Sequence, residues 1–380
     1  MERSSAPEKR VVPLELFFDL VFVFSLTQVT KLMSDDPSWQ GLGRGVLVLA
    51  LLWWAWAAYA WLTNYIAADE DRERLLMFGS MAAFLVAALA VPHAFDSDAL
   101  VFAVAYAVAR WLHIFIFAEA NDDVDAGEAI RRLARTALPA PALLIVAAFL
   151  EGPPQTALWV AAIAIDFFGP FVFGVRGFRV SPGHFAERFS LIVIIALGES
   201  IVAIAAGLEG ELDAGVILAA LLGLVVACGL WWAYFDVVAL VAERRFRNSE
   251  GHERALIARD SYSYLHLPMI AGIVLIALAV KKTIQDVDEP LKTIPAVALF
   301  GGIALYYAGH LGVRIRMVGS INRPRSMAVL VCLALIPLAT EVDAGVALGA
   351  AALVVSAVIA WETIMYAEAR SRIRGEHVGG

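Results

Sequence analysis

The sequence predicts an all-α, polytopic membrane helix bundle of about 12 transmembrane helices, arranged as two six-helix pseudo-repeats with both termini in the cytoplasm. Three observations carry the prediction. The chain of 380 residues is 61% hydrophobic and only 17% charged, against about 45–50% and about 25% in soluble domains. Its apolar residues fall in long runs, and a hydrocarbon core about 30 Å thick needs about 20 such residues per helix. Its basic residues gather in alternate loops. The alternating segments of about 10 residues that mark a membrane β-barrel are absent.

In order, the spans fall near 13–33, 43–66, 74–94, 98–119, 136–151, 155–175, 186–207, 212–240, 257–280, 294–314, 325–340 and 344–366. The first opens on PLELFFDLVFVF. Its apolar run is too long for a cleavable signal and no A-x-A site follows, so it reads as a retained span. The second and eighth are rich in Trp. The fifth and eleventh are short, and read as tilted, half-buried or re-entrant. Cys228 and Cys332 fall inside apolar runs and read as small core residues, not a disulfide or a metal site.

Charge in the loops tests the count. With the N-terminus inside, the inside segments hold 23 of the 29 Lys and Arg residues. They run from Arg3, Lys9 and Arg10, through Arg176, Arg179 and Arg188, to Arg370, Arg372 and Arg374. Outside segments hold Lys31, Arg44, Lys281, Lys282 and Lys292, and Arg110 alone lies at membrane depth. Cytoplasmic loops are enriched in Lys and Arg, so this segregation favours twelve crossings. The net charge of −8 says little, because the charges sit in loops.

Two stretches resemble each other: ELFFDLVFVFSLTQVT from Glu15 and ERFSLIVIIALGESIV from Glu187. Each opens on Glu, has Phe two residues on, and carries polar groups about three turns deeper (Thr27 and Gln28; Glu199 and Ser200). Trp53-Trp54 and Trp231-Trp232 are the two Trp pairs of the chain. Tyr106 and Arg110 find a counterpart in Tyr306 and His310. The offsets are 172, 178 and 200, in chain order. They predict halves at 1–180 and 181–380, related by an axis along the membrane normal, with any site between them.

Ionisable groups at membrane depth are costly and usually face the bundle interior. Glu199 lies near mid-bilayer, twelve residues past Glu187, so it either stays neutral or pairs with a cation. It reads as a proton-carrying acid, or as a hydrogen bond that joins helices. Glu15 suits a first helical turn; Asp19, one turn deeper, is a second candidate acid. Asp166 precedes a Gly-Pro break and either opens a local site or satisfies freed backbone. Arg110 needs one of these carboxylates. His93, His113, His266 and His310 fall within spans, as core residues or as members of a proton relay. Trp54 and Trp232 either face lipid or form an aromatic wall around a substrate.

The chain has no G-x-x-x-x-G-K-[ST] and no H-E-x-x-H, so no ATPase engine or zinc protease is expected. HFAE at 184–187 is too weak for a metal site, and neither metal nor cofactor is expected. The expected partners are membrane lipids and a small ion or small-molecule substrate, not nucleic acid; the oligomeric state stays open.

PLELFFDLVFVFSLTQVT (13–30) and HFAERFSLIVIIALGESIVAI (184–204) closely resemble the two signature stretches of the bacterial low temperature requirement A (LtrA) family. The Trp-rich second span and YLHLPMIAGIVLIALAV (264–280) look like that family too. The resemblance runs from about Val11 to Arg370. Ser190 departs from it, where the family commonly has Gly after Glu-Arg-Phe. The resemblance implies a multi-pass protein of the bacterial inner membrane and little about chemistry. From the residues, the first expectation is a proton- or ion-coupled transporter or channel-like protein with Glu199 and Asp19 as its acids. In that reading Arg110 is their counter-charge or an anion-binding group. The alternative is a membrane-embedded enzyme that uses a buried carboxylic acid on a lipophilic, for example isoprenoid, substrate. A structural or sensory membrane protein is a third, plainer possibility.

Overall fold

The computed structural model describes residues 9–66, 71–120, 124–208 and 210–368. Arg3, Arg370, Arg372 and Arg374 of the inside charge count lie outside them. The described residues form helices, and their one β-type pairing is an isolated bridge between Pro290 and Asp343.

The helices are α1 (Pro13–Asp35), α2 (Trp39–Leu62), α3 (Asp71–Ala90), α4 (Ala99–Glu119), α5 (Val124–Ala137), α6 (Pro139–Ala147), α7 (Pro153–Val172) and α8 (Pro182–Ala206). They continue as α9 (Ala214–Phe235), α10 (Val238–Arg247), α11 (Gly251–Ile257), α12 (His266–Gln285), α13 (Thr293–Ala296), α14 (Gly302–Val318), α15 (Arg323–Leu335) and α16 (Ala344–Met365). π-helical turns at Ala258–Tyr264 and Val297–Gly301 join α11 to α12 and α13 to α14. Local chemistry sets several ends. Proline opens α6, α7 and α8, where a missing N–H is harmless. Asp213 caps α9 by accepting from Val216 N at 2.8 Å, and Asn322 caps α15 by accepting from Arg325 N at 3.1 Å. Gly319, at φ 69°, ends α14 in the left-handed conformation.

Among the described residues, ten helical stretches are long and apolar enough to cross a membrane. At the expected fifth and eleventh spans stand the nine residues of α6 and the thirteen of α15. Leu75, Phe149, Val172, Leu353 and Ile364 are each more than two thirds exposed, from 69% to 78%. Exposed apolar surface on that scale belongs in a lipid environment.

By internal contacts the chain divides into two units. The first comprises Met1–Leu32, Gly43–Ile192 and Ser249–Arg259; the second comprises Met33–Leu42, Val193–Asn248 and Asp260–Gly380. In the first, α3 packs on α4, and α6 packs on both α4 and α7. Its core is aromatic: Phe18 lies 4.8 Å from Tyr59 and 5.2 Å from Phe84, and Trp159 stacks between Phe95 and Phe102. Tyr106 on α4 donates to the Leu51 carbonyl on α2 at 3.3 Å.

In the second unit, α12 packs on α14 and α9 on α16. The α12–α14 seam is backbone on backbone. A Cβ at Gly272 would meet the Gly302 carbonyl at 2.5 Å, and one at Gly302 would meet the Gly272 carbonyl at 2.9 Å. Small residues of this kind let membrane helices approach closely. A Cβ at Gly229 would fall 2.2 Å from Val355, and one at Gly349 lies 3.8 Å from Leu222. The pairs 222–349 and 229–355 advance together, so α9 and α16 run parallel. Tyr306 on α14 donates to the Leu230 carbonyl on α9 at 2.8 Å.

Candidate functional site

Pro13 at the first helical position of α1 puts Glu15 in the third. From there Glu15 Oε2 accepts from Val12 N at 3.0 Å, half of a capping box. Asp19 follows one turn later on the same face. Near the start of α8, His184 and Arg188 are also one turn apart. His184 Nε2–H donates to both Glu15 oxygens at 3.0 Å, and Arg188 Nη2 donates to Asp19 Oδ1 at 2.8 Å. Both pairs are separated by 169 residues, so α1 and α8 run parallel here and their side chains form a two-rung ladder.

All four side chains are at most 1% exposed. Trp56 Nε1 also donates to Asp19 Oδ1, at 2.8 Å, and the Arg188 guanidinium stands 5.8 Å from the Trp56 ring. Phe189 closes the site edge-on against Trp53 and Trp56. Valences are left over. Asp19 Oδ2, Arg188 Nε and Nη1, and His184 Nδ1 are buried and make no hydrogen bond to the described protein. A buried pair usually needs every remaining site satisfied to offset its desolvation. This one keeps a carboxylate oxygen and guanidinium donors in reserve.

A second buried pair stands in the same unit. Arg110 Nη2 on α4 donates to Asp166 Oδ1 and Oδ2 on α7, at 2.9 and 2.8 Å. Trp54 also hydrogen-bonds Asp166, and its ring lies 4.5 Å from Phe167. Pro170, four residues on, has no N–H for the Asp166 carbonyl. Tyr59 Oη lies 2.7 Å from both Ser80 Oγ and the Ala109 carbonyl, and so fastens α2 to α3 and α4.

The second unit has its own polar cluster. Arg325 on α15 binds both oxygens of Glu362 on α16 at 2.8 and 2.9 Å, and donates to the Ala233 carbonyl at 2.9 Å. Its Nη1 lies 2.8 Å from His310 Nδ1. Guanidinium only donates, so Nδ1 accepts and the His310 proton is on Nε2. His266 Nδ1 lies 2.8 Å from the Ser261 carbonyl and its Nε2 lies 2.9 Å from Tyr234 Oη. A carbonyl only accepts, so Nδ1 carries the proton and Tyr234 donates. The π-helical turn makes this five-residue reach possible. Glu199 on α8 is buried, 2% exposed, beside buried Ser200.

Asp19, Arg110, Asp166 and Trp54 thus lie in the first unit, and Arg110 takes Asp166 from among the candidate acids. Glu199 and His266 are buried in the second. Two of the named residues lie apart from these buried groups. His93 is exposed in the short 3₁₀ turn Val91–His93 after α3, because the helix stops at Ala90. Trp232 is 39% exposed, so its flank of α9 turns away from the core that holds Tyr234. Arg110 is also not alone: Arg188 and Arg325 are buried guanidiniums too. Helix α8 begins at Pro182, four residues before the expected span, which carries Arg188 into its second turn. His184 and Arg188 were missed as site residues, although ELFFD and HFAER carry matching acid and base pairs at the same four-residue spacing.

The family model of the bacterial low temperature requirement A protein matches residues 10–360. An uncharacterized protein of Rhizobium meliloti (strain 1021) is 32% identical over 314 residues, which cover 78% of this chain and 75% of that protein.

Proposed function

The chain belongs to the bacterial low temperature requirement A family, and on that footing we propose that it is a proton-coupled transporter of the bacterial inner membrane. The observation that carries the reading is the half-satisfied ladder between α1 and α8. Asp19 holds Arg188 and Trp56 through one oxygen and keeps the other unbonded. A proton on Oδ2 removes the charge that holds the guanidinium. Arg188 is then released to bind an anionic substrate group, or to let α8 shift. Protonation thereby biases a two-state element, as coupling requires. Glu199 is the second acid. It lies on α8 eleven residues beyond Arg188, about 16 Å along the axis and near three whole turns, hence on the same face. The Arg110–Asp166 pair, with both carboxylate oxygens engaged, serves as a fixed brace.

The topology proposed is twelve crossings with both termini inside. Helix direction supports it. With only α2, α3, α4 and α7 crossing between them, α8 would run against α1; a further crossing through α5 and α6 gives the parallel ladder. With only α12 and α14 between them, α16 would run against α9; a crossing through α15 gives the parallel packing. The two six-helix repeats are supported by matching internal bonds, Tyr106 to Leu51 and Tyr306 to Leu230, at the same places in the two series.

The test is reconstitution into liposomes with an interior pH dye and a valinomycin-imposed potential. Wild type should carry a proton flux, and D19N and E199Q should each lower it at least tenfold while thermal stability holds. No flux above protein-free vesicles, or unchanged flux in both variants, refutes the reading.

A further inference from the structure

We propose that the second unit holds a binding site for a small monovalent anion, of halide size, against His310. The cavity lies where the start of α10 meets the end of α14 and the turn into α15, wholly within that unit, and it shares no residue with the ladder. It encloses about 60 Å³. Pockets for organic ligands begin near about 300 Å³, and one water takes about 30 Å³ of liquid. The space therefore suits one halide with a water beside it and excludes a metabolite.

The lining decides the chemistry. Its walls are apolar, built from Val238 and Val241 of α10 and Val313 and Met317 of α14. Four polar side chains interrupt them, His310, Arg314, Asn322 and Arg325, and among the described residues no Asp or Glu lines the cavity. Two of the four are already spent. Arg325 is neutralised by both oxygens of Glu362 and also holds the Ala233 carbonyl. Asn322 accepts from Arg325 N–H at 3.1 Å and donates to Glu362 Oε1 at 2.6 Å. His310, 1% exposed, is different. Its Nδ1 accepts from Arg325 Nη1 at 2.8 Å, which locks the ring proton on Nε2. Nε2 is buried and makes no hydrogen bond to the described protein. Arg314, half-buried, donates through Nε to Ser320 Oγ at 3.1 Å and makes no ion pair among the described residues.

A locked N–H calls for an acceptor, and the lining offers donors. A water at Nε2 accepts that proton but then has two of its own to place among further donors, whereas buried waters are typically held by about three hydrogen bonds. An anion accepts from every side. The field agrees. Arg314 leaves the lining with positive charge, and α15, thirteen residues long, opens at the cavity wall with Asn322 and Arg325, so the positive end of its dipole lies there. The site is also built. Gly319 turns the chain at the end of α14, Asn322 caps α15, and the Arg325–Glu362 pair holds the imidazole in one tautomer.

The test uses the full chain, purified in neutral detergent and exchanged into gluconate buffer. It is titrated with chloride at constant ionic strength, and chloride NMR line width and melting temperature are followed together. Wild type should show saturable broadening and a saturable rise in melting temperature, since a ligand of the folded state stabilises it. H310F keeps a ring but removes Nε2–H, and should abolish both responses. R314Q should weaken binding at least fivefold, and R314K should largely keep it. If H310F does not purify, R314Q and R314K carry the comparison. Bromide should displace chloride, and sulfate, too large for the cavity, should not. No saturable response in wild type, which leaves the cavity to water, equal binding by H310F or R314Q, or displacement by sulfate as effective as by bromide overturns the proposal.

Discussion

Replacing Arg188 by Met strips the Asp19 carboxylate of its cation while leaving it buried. The side chains of both partners are 0% exposed, and the bond between them is 2.8 Å. Asp19 keeps only the Trp56 N–H, at 2.8 Å. Removing one member of a buried pair typically costs about 3–5 kcal/mol, because an uncompensated charge remains. Trp56→Phe deletes a single hydrogen bond to a charged group, about 1.5–3 kcal/mol, so R188M should be the more damaging. Adding Asp19→Asn to R188M removes the stranded charge and leaves an amide oxygen for Trp56. The double variant should therefore recover to within about 2 kcal/mol of wild type, since apolar or neutral replacements of buried pairs are often nearly neutral. The assay is reversible unfolding by SDS titration in mixed micelles, followed by circular dichroism for all four corners of the cycle. A coupling energy below about 0.5 kcal/mol, the range of independent sites, would mean that the two groups do not hold each other and that the ladder is not an energetic unit.

Other outcomes can be measured directly. In a C228A/C332A background, single cysteines at Arg132, Arg247 and Arg323 should be labelled from the cytoplasm only, and one at Asp213 from outside. Cysteines at Glu151 and Glu341, which follow the short helices α6 and α15, should also be labelled from outside; cytoplasmic labelling at either would remove that crossing. E199Q should keep the fold and lose pH-dependent activity, since Gln keeps size and hydrogen bonds but cannot ionise. If Glu199 only joins helices, E199Q will be silent and E199A destabilising. Gly272→Ala should lower stability by about 1–3 kcal/mol through overpacking against the Gly302 carbonyl. Gly43→Ala, with nothing within 4 Å, should be silent or slightly stabilising in the same unfolding titration.

The long apolar runs made the principal helices legible, because length alone distinguishes a span. What lay beyond reach was which face of each helix points inward. Lipid tails are as apolar as Leu, so a membrane helix need not be amphipathic. Trp232 and Trp54 look alike in sequence, yet one is 39% exposed and the other 7%. Pairing was half legible. Arg110 had to find a carboxylate, and Asp166 was among those named. Arg188 was hidden by a different logic: a base near the end of an apolar run counts as loop charge, and only the bond to Asp19 shows that it belongs inside. Arg325 was hidden the same way, at the entrance to a helix too short to read as a clear span.

The spacing of the ladder has a mechanical side. Acids sit at 15 and 19 on α1, bases at 184 and 188 on α8, each one helical turn apart. A slide of α8 by one turn, about 5.4 Å, brings Arg188 level with Glu15 in one direction and His184 level with Asp19 in the other. Each displaced position still joins one base to one acid, while positions between the turns join none. The two helices therefore mesh like a toothed rack with discrete stops. In the transport reading proposed above, motion along it would proceed in whole-turn steps, of the kind by which packed elements ratchet past each other, and a proton on Asp19 would set how firmly the resting tooth is engaged.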